Sequence, residues 1–225
     1  TDGDGFDDLF VGAFSDDNNG ADSGSARVLS GANGSTLYTF DGDAPHTNLG
    51  SAVSNVGDID GDGVEDLIAG AMGDDAIGLD GGAARVYSGI NGATLFTFHG
   101  DAAGDLFGRA VSGAGDVNGD GTPDLVVGAP FSSNAGVQNG LARVFSGVDG
   151  SVLGTMVGDS AGDQFGISVS GAGDTNLDRR SDVIVGAWLD GDKGGASGSA
   201  RVFSLPGAGI PFGALPTCAI VVHGP

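Results

Sequence analysis

A spacing of 58 residues recurs along this chain and restricts its fold more than any other feature. In each copy of the repeated module, oxygen-bearing side chains alternate through nine residues and an apolar run follows. The last carboxylates of the copies, each 58 residues from the next, are Asp8, Asp66, Asp124 and Asp182. A constant period of this length is typical of repeat architectures, in which every unit buries its core against neighbouring units. We therefore divide residues 1–204 into units at approximately 1–44, 45–102, 103–160 and 161–204, with an atypical tail at 205–225.

The third unit shows most clearly that a complete unit contains four short strands, whereas unit one lacks its first strand and the first ligand of its loop. Apolar or alternating runs at Phe107–Ser112, Leu125–Gly128, Ala142–Ser146 and Val152–Val157 are separated by polar and glycine-rich turns. No long window has helical periodicity, so the sequence predicts an all-β chain. Repeats of about 40–60 residues with four strands each are typical of β-propeller blades. We expect about four blades, which form either a small propeller or part of a larger propeller or array.

The repeat breaks near the end of the chain. The fourth unit has three clear strands up to Ser204, and the sequence from Leu205 onward no longer follows the pattern of the other units. We expect Thr217–Val222 to form a strand. The sequence leaves open whether this strand closes the first unit, pairs with another subunit or begins a further segment.

The charge balance restricts the class of partner. Asp and Glu total 30 against 8 Lys and Arg, which gives a net charge of −22. This balance disfavours nucleic acid and anionic membrane surfaces and favours divalent cations. No apolar run approaches the ~18 residues of a membrane span, so we expect no membrane insertion. The single cysteine, Cys218, excludes a disulfide framework within the chain.

The oxygen-rich loops match the chemistry of calcium, which takes about six to eight oxygen ligands. Gly61 and Gly63 give the second copy the backbone freedom for a tight turn. We predict three or four structural calcium ions, held in loops one (residues 2–8), two (58–66), three (116–124) and four (174–182). The predicted ligands are Asp2, Asp4 and Asp8; Asp58, Asp60, Asp62, the Val64 carbonyl and Asp66; Asp116, Asn118, Asp120, the Thr122 carbonyl and Asp124; and Asp174, Asn176, Asp178 and Asp182.

Two details qualify this metal prediction. An EF-hand needs a glutamate at position 12 of its loop, where loops two and three have Ala69 and Val127, so an EF-hand is excluded. Loop four has Leu177 and Arg179 in place of glycines, and Arg180 adds a further positive charge. We expect either weaker calcium binding there or a salt bridge in place of the ion.

Phe107-Gly108 and Gly128-Ala129-Pro130 stand on either side of the third oxygen-rich loop. Phe165-Gly166 with Gly186-Ala187-Trp188 is the next copy, and the earlier copy at Leu49-Gly50 is looser. This arrangement resembles the FG-GAP repeat of integrin α-subunit propellers and of many secreted bacterial proteins. The resemblance covers about residues 1–204 and implies an extracellular β-propeller with calcium in a strand-connecting hairpin of each blade. Propellers of this family commonly have about seven blades, more than the units present here.

The chain shows none of the usual signatures of catalysis. It contains no nucleophile elbow, zinc spacing or phosphate loop, and its histidines, His46, His99 and His223, are scattered. Trp188 and Phe131 follow the Gly-Ala pairs and either form an aromatic platform for sugar or, as we expect, pack beneath a variable loop. One arginine recurs in the third strand of each unit, and we expect it to pair with a carboxylate or carbonyl of a neighbouring strand: Arg27, Arg85, Arg143 and Arg201.

The function that the sequence favours is that of a secreted or cell-surface, calcium-binding propeller that serves as a non-catalytic binding or adhesion scaffold. Its protein or carbohydrate ligand would meet the variable loops at Ser15–Ser25, Gly73–Gly82, Phe131–Gly140 and Leu189–Ser199. Two alternatives remain open at this point. One is a structural subunit that assembles head-to-tail into an extracellular fibre, and the other is an accessory propeller of a larger secreted enzyme.

Overall fold

A computed structural model describes residues 2–133, 137–191, 195, 197–205 and 217–223. In these residues every regular element is a β-strand, which confirms the all-β prediction. The chain divides into two compact units, residues 1–109 and 110–225, which are described separately below.

The first unit contains two antiparallel sheets whose strands pair in chain order. Three strands form the first sheet and four form the second. Their bounds are β1 Leu9–Ala13, β2 Ser25–Leu29 and β3 Thr36–Asp41, then β4 Leu49–Gly57, β5 Asp66–Ala71, β6 Ala83–Tyr87 and β7 Thr94–His99. The two sheets share a buried core in which the rings of Phe40 and Tyr87 stack with centroids 3.9 Å apart.

The second unit contains two four-stranded antiparallel sheets. Their strands are β8 Ala110–Gly115, β9 Asp124–Ala129, β10 Leu141–Phe145 and β11 Val152–Val157, then β12 Phe165–Gly173, β13 Asp182–Ala187, β14 Ser199–Ser204 and β15 Thr217–His223. A shared core again joins the sheets, with Phe165 fully buried and its ring edge-on to that of Phe203. The predicted strand at Thr217–Val222 exists as β15. It pairs with β14 and so completes the fourth sheet instead of closing the first.

The glycines of the repeated motif lie where two sheets meet backbone to backbone. In the first unit, a Cβ atom placed on Gly70 of β5 would lie 1.9 Å from the carbonyl oxygen of Gly108. Gly108 itself has a φ of +85°, and a Cβ there would lie 2.0 Å from the carbonyl oxygen of Ala83. Gly128 and Gly166 make the same close approach within the second unit. No other residue type fits these positions without moving the backbone.

The predicted strands agree with the structure in number and order but not in every bound. The strand expected at Phe107–Ser112 begins later, at Ala110, and Phe107 instead forms an isolated parallel bridge with Gly82. The strand at Val152–Val157 has the predicted bounds. Antiparallel sheets of this size, repeated in chain order, are consistent with propeller blades. The number of blades stays a prediction.

Candidate metal centres

Loop two folds its backbone around its first carboxylate. Asp58 accepts hydrogen bonds from the N–H groups of Gly61, Asp62 and Gly63 at 2.8, 3.1 and 2.9 Å. The two glycines have φ values of +78° and +91°, which let the loop turn tightly. As a result, carboxylate oxygens of Asp58, Asp60 and Asp66 lie within 4.8 Å of one another. Three of the predicted ligands are therefore brought together.

The last carboxylate of loop two is buried at the start of β5. Asp66 is 0% exposed and accepts the N–H groups of Ile59 and Gly89, both at 2.9 Å. Burial raises the pKa of Asp66, and these two hydrogen bonds only partly oppose the shift. A cation beside Asp66 would favour its ionised form and so offset the cost of burial.

Loop three repeats this geometry. Asp116 accepts the N–H groups of Gly119, Asp120 and Gly121 at 2.7, 3.1 and 3.0 Å. Asp124 is 0% exposed, and burial raises its pKa to about 6, with the nearby charges of Asp120 and Asp116 acting in the same direction. Close like charges around a buried carboxylate are the setting in which a divalent cation stabilises a folded protein.

Loop one has a similar fold but a more exposed one. The N–H of Asp2 donates to Asp8 at 3.3 Å, and the N–H of Asp4 donates to Asp2 at 3.1 Å. The N–H of Phe6 donates to Asp4 at 2.8 Å. Asp8 is partly exposed, whereas the corresponding Asp66 and Asp124 are fully buried.

Loop four keeps the backbone of the others without their glycines. Leu177 and Arg179 adopt φ values of +63° and +70°, which costs free energy for residues with side chains. The guanidinium of Arg180 lies 2.7 Å from the carboxylate of Asp178. Thr175 donates both its N–H and its hydroxyl to the buried Asp182. The carboxylates of Asp178 and Asp182 therefore already have hydrogen-bond donors from the protein itself.

Sequence reasoning missed a connection between each loop and a later turn. Asp8, Asp66 and Asp124 accept the N–H group of a glycine 23 residues further along the chain, at 3.0, 2.9 and 3.1 Å. These glycines are Gly31, Gly89 and Gly147. The fourth copy has Leu205 at this position, and the buried Oδ1 atom of Asp182 has no hydrogen-bond partner in the described part of the chain. The only sign of this connection in the sequence is the glycine that recurs 23 residues after the last carboxylate of loops one to three.

The residues of loops two and three fit a hard divalent cation. Their side chains offer only oxygen ligands, apart from the amide nitrogen of Asn118, which donates to Asp120 at 2.7 Å. Loop four fits less well because a guanidinium already neutralises Asp178. The roles of the Val64 and Thr122 carbonyls as ligands stay predictions, as do those of the loop-one carboxylates.

Three of the repeated arginines, Arg27, Arg85 and Arg201, form ion pairs with carboxylates as the sequence predicted, and the Nε–H of Arg143 donates to the hydroxyl of Thr155 at 3.3 Å. Arg85 lies 2.9 Å from Asp74 and 2.7 Å from Asp43. In the second unit, Arg201 lies 2.8 Å from Asp190 and 2.9 Å from Asp159. Burial disfavours the charged forms of Arg85 and Arg201, but the carboxylates outweigh it, so the pKa of both is raised. In the first sheet, Arg27 is more exposed and pairs with Asp16 at 2.9 Å.

The expectation that Trp188 packs beneath a loop is wrong, because Trp188 is 60% exposed. Its indole N–H donates to the side chain of Gln164, which fixes the ring at the surface. Phe131 is partly exposed. His46 and His99 lie 3.8 and 3.9 Å from Asp22 and Asp74, and the side chain of His223 lies outside the described residues. Of these aromatic and histidine side chains, those of Trp188 and His46 are mostly exposed.

Comparison with known proteins identifies relatives of the chain. Residues 107–145 match the model of the FG-GAP repeat. Integrin alpha pat-2 of Caenorhabditis briggsae is 36% identical over 63% of this chain and 13% of its own length. Integrin alpha-5 of Xenopus laevis is 30% identical over 73% of this chain and 17% of its own length. Human integrin alpha-6 is 35% identical over 68% of this chain and 14% of its own length. The chain therefore spans less than a fifth of these relatives.

Solved structures give a weaker likeness. The rhamnogalacturonan lyase YesW superposes with a TM-score of 0.46 and 16% identity, over 96% of this chain and 48% of the lyase. Agreement at this level carries no inference about function. Among the described residues, no helix has the length and apolar character needed to span a membrane.

Proposed function

This chain is an FG-GAP-repeat domain of the integrin α type, and from that premise we propose its function. We propose that it is an extracellular β-propeller domain stabilised by calcium, and that it binds a protein or carbohydrate ligand without catalysing a reaction. The proposal rests above all on loop two, where oxygen atoms of three carboxylates lie within 4.8 Å of one another around a tight turn. Integrin relatives over most of the chain support an adhesion-related role.

Calcium would act as a structural ion. Loops two, three and four each join the first and second strands of their sheet, as loop three joins β8 to β9. An ion bound to Asp58, Asp60, Asp62 and Asp66 would balance carboxylate charges and join both ends of the loop. In the unfolded chain these ligands are dispersed, so the binding free energy would add to the free energy of unfolding. The proposal expects up to three such ions in loops one to three, and weaker binding in loop four.

A ligand would bind at the surface of the loops that follow the second strands. The clearest feature there is the indole of Trp188, which is exposed and held by Gln164. Exposed aromatic rings of fixed orientation contribute strongly to protein and sugar recognition. The absence of a catalytic constellation from the sequence motifs supports a binding role instead of an enzymatic one.

The deciding experiment measures thermal unfolding and bound metal together. The chain is stripped with EDTA, dialysed and titrated with calcium, and bound ions are counted by mass spectrometry of the native protein. We expect chelation to lower the melting temperature by at least about 10 °C and calcium to restore it. The variant Asp66→Asn should lose one ion, whereas Asp75→Asn, on an exposed loop of the same sheet, should lose none. Equal stability and metal content with and without EDTA would contradict the proposal.

A further inference from the structure

One position of the repeat holds an aspartate in three of the sheets and a serine in the remaining one. In the first, second and fourth sheets, the loop after the second strand has an aspartate there: Asp16, Asp74 and Asp190. These carboxylates lie 2.9, 2.9 and 2.8 Å from the recurrent arginine of their own sheet. In the third sheet the position is Ser132, and the arginine is Arg143. The third sheet therefore lacks the carboxylate that the other three supply to their arginines.

The backbone around Ser132 is the same as in the other sheets. The carbonyl of Ser132 accepts the N–H of Gly140 at 3.0 Å. The equivalent bonds measure 2.8, 2.9 and 2.9 Å, from Gly24 to Asp16, from Gly82 to Asp74 and from Gly198 to Asp190. Arg143 lies opposite Val127 of β9, in the register that Arg85 has on β5. The segments that carry Ser132 and Arg143 thus keep the common arrangement, and the difference is in the side chain.

The hydroxyl of Ser132 is left without a partner. Ser132 is 1% exposed, and its Oγ atom is buried and makes no hydrogen bond to any residue that the structure describes. A buried hydroxyl without a hydrogen bond costs free energy. Its O–H can donate to an acceptor, and a carboxylate oxygen is the strongest acceptor available to it. The buried hydroxyl is therefore an observation, independent of the repeat pattern, that indicates a missing acceptor.

The arginine of this repeat position can hold more than one carboxylate. Arg85 holds Asp74 and Asp43 at the same time, and Arg201 also holds two carboxylates. A guanidinium has enough N–H donors for both. Arg143 is also more accessible, because Arg85 and Arg201 are each 9% exposed whereas Arg143 is only partly buried. A group from solvent can therefore approach Ser132 from the side of Arg143.

We propose that Ser132 and Arg143 form a binding site for a carboxylate that does not belong to this chain. The guest carboxylate takes the place that Asp74 and Asp190 fill in their sheets, and it accepts hydrogen bonds from the hydroxyl of Ser132 and the guanidinium of Arg143. Its source is either a small carboxylic acid or an acidic side chain of a bound polypeptide. The net charge of −22 disfavours anions over most of the surface, so binding is confined to this position.

The test compares the wild type with Ser132→Asp, which restores the carboxylate of the other sheets. Each protein is titrated with sodium formate and, separately, with sodium chloride at matched ionic strength. The backbone amides of Ser132 and Gly140 and the Nε–H of Arg143 are followed by NMR. We expect saturable shifts with formate in the wild type, together with a rise in melting temperature of about 2 °C over chloride. Ser132→Asp should show neither, because its own carboxylate fills the site.

Three results would overturn the proposal. The first is an equal response of the wild type and Ser132→Asp to formate. The second is a wild type that does not respond, since water would then satisfy the hydroxyl. The third is the same saturable shift with chloride, which would exclude a preference for carboxylates. Excess calcium is present throughout, so a failure of this site leaves the calcium proposal untouched, and a failure of the metal sites leaves this one untouched.

A reciprocal variant tests the repeat argument in the second sheet. Asp74→Ser removes the carboxylate beside Arg85 and creates the arrangement of the third sheet. We expect the Nε–H of Arg85 to become responsive to formate in this variant and to remain unresponsive in the wild type. A folded Asp74→Ser protein that ignores formate would count against the proposal. If the variant does not fold, the comparison of wild type with Ser132→Asp still decides.

Two short peptides distinguish the sources of the carboxylate. The wild type is titrated with acetyl-Gly-Asp-Gly-amide and with the same peptide carrying asparagine. Tighter binding of the aspartate peptide than of formate would support the site with a polypeptide as its source. Binding of formate alone would support it with a small acid as its source. The asparagine peptide should leave the signals of Ser132 and Arg143 unchanged, and equal binding of the two peptides would contradict recognition of a carboxylate.

Discussion

Arg85 on β6 ties the first sheet to the second by reaching Asp43, which follows β3, with 2.7 Å between its Nη2 atom and the nearer carboxylate oxygen. The same guanidinium holds Asp74 of its own sheet at 2.9 Å. Arg201 makes the corresponding pair of contacts in the second unit. A buried arginine between two carboxylates is therefore a recurrent link between neighbouring sheets.

Loss of this link should be costly. Because Arg85 is only 11% exposed and Asp74 only 10%, Arg85→Met would leave a buried carboxylate without its cation. We expect the free energy of unfolding to fall by about 3 kcal/mol in urea denaturation. Arg27→Met is the control, because Arg27 is 45% exposed and should lose at most about 1 kcal/mol. Equal effects of the two substitutions would contradict this account.

The glycine contact between sheets allows a test that separates steric overlap from backbone strain. Gly108→Ala should destabilise the chain by about 3 kcal/mol, since the added methyl group would meet the carbonyl of Ala83. Gly104→Ala is the control, because Gly104 has a similar φ of +81° but nothing within 4 Å of the added atom. It should lose only about 1 kcal/mol from backbone strain. Comparable losses would show that the close approach is unimportant.

The pH dependence of stability should reveal the burial of Asp124. Its folded-state pKa is about 6, above the ordinary value of 3.8, so the folded protein binds the proton more tightly than the unfolded chain. Without metal, this group stabilises the fold below its unfolded pKa, and that contribution is lost as pH rises through about 6. Between pH 4 and 7 in EDTA, we expect the free energy of unfolding of the wild type to fall by about 2 kcal/mol more than that of Asp124→Asn.

Added calcium should oppose this loss of stability with rising pH. A bound cation favours the ionised carboxylate, so the stabilisation gained on adding calcium should grow across the same pH range. Chemical denaturation at several pH values, with EDTA or with excess calcium, measures both effects. If the difference between wild type and Asp124→Asn is independent of pH in EDTA, the proposed burial penalty is wrong.

Arg180 should weaken metal binding at loop four. Its guanidinium occupies Asp178 and places a positive charge beside the site, so we expect Arg180→Thr, which copies the residue of loop three, to raise calcium affinity at loop four about tenfold. Arg180→Lys keeps the charge and should leave the affinity low. Calorimetric titration with calcium measures both variants. An unchanged affinity in Arg180→Thr would exclude this role for Arg180.

The repeat, the strands and the carboxylate loops could be predicted from sequence because they depend on local patterns. The spacing from Asp8 to Asp66 gave the period at which the sheets repeat, and glycines in loop two predicted its tight turn. The link from Asp66 to Gly89 was missed because a lone glycine in a turn does not show which group its N–H meets. The place of β15 was open because pairing depends on neighbours that the sequence does not locate.

Trp188 shows a different limit of sequence reasoning. Aromatic residues next to an apolar strand usually pack into the core, and this general preference misplaced Trp188. Its indole N–H donates to Gln164, a residue 24 positions earlier in the chain, and no periodic pattern encodes such a contact.

The contact of Gly70 with Gly108, and of Gly128 with Gly166, has a consequence for the evolution of such chains. At these contacts the backbones of neighbouring repeats meet directly, so the closeness of approach depends on the glycines being kept. Side-chain contacts between sheets, such as Phe40 on Tyr87, must be kept as well. A repeat that is duplicated or exchanged therefore has to carry both the glycines and its share of the core.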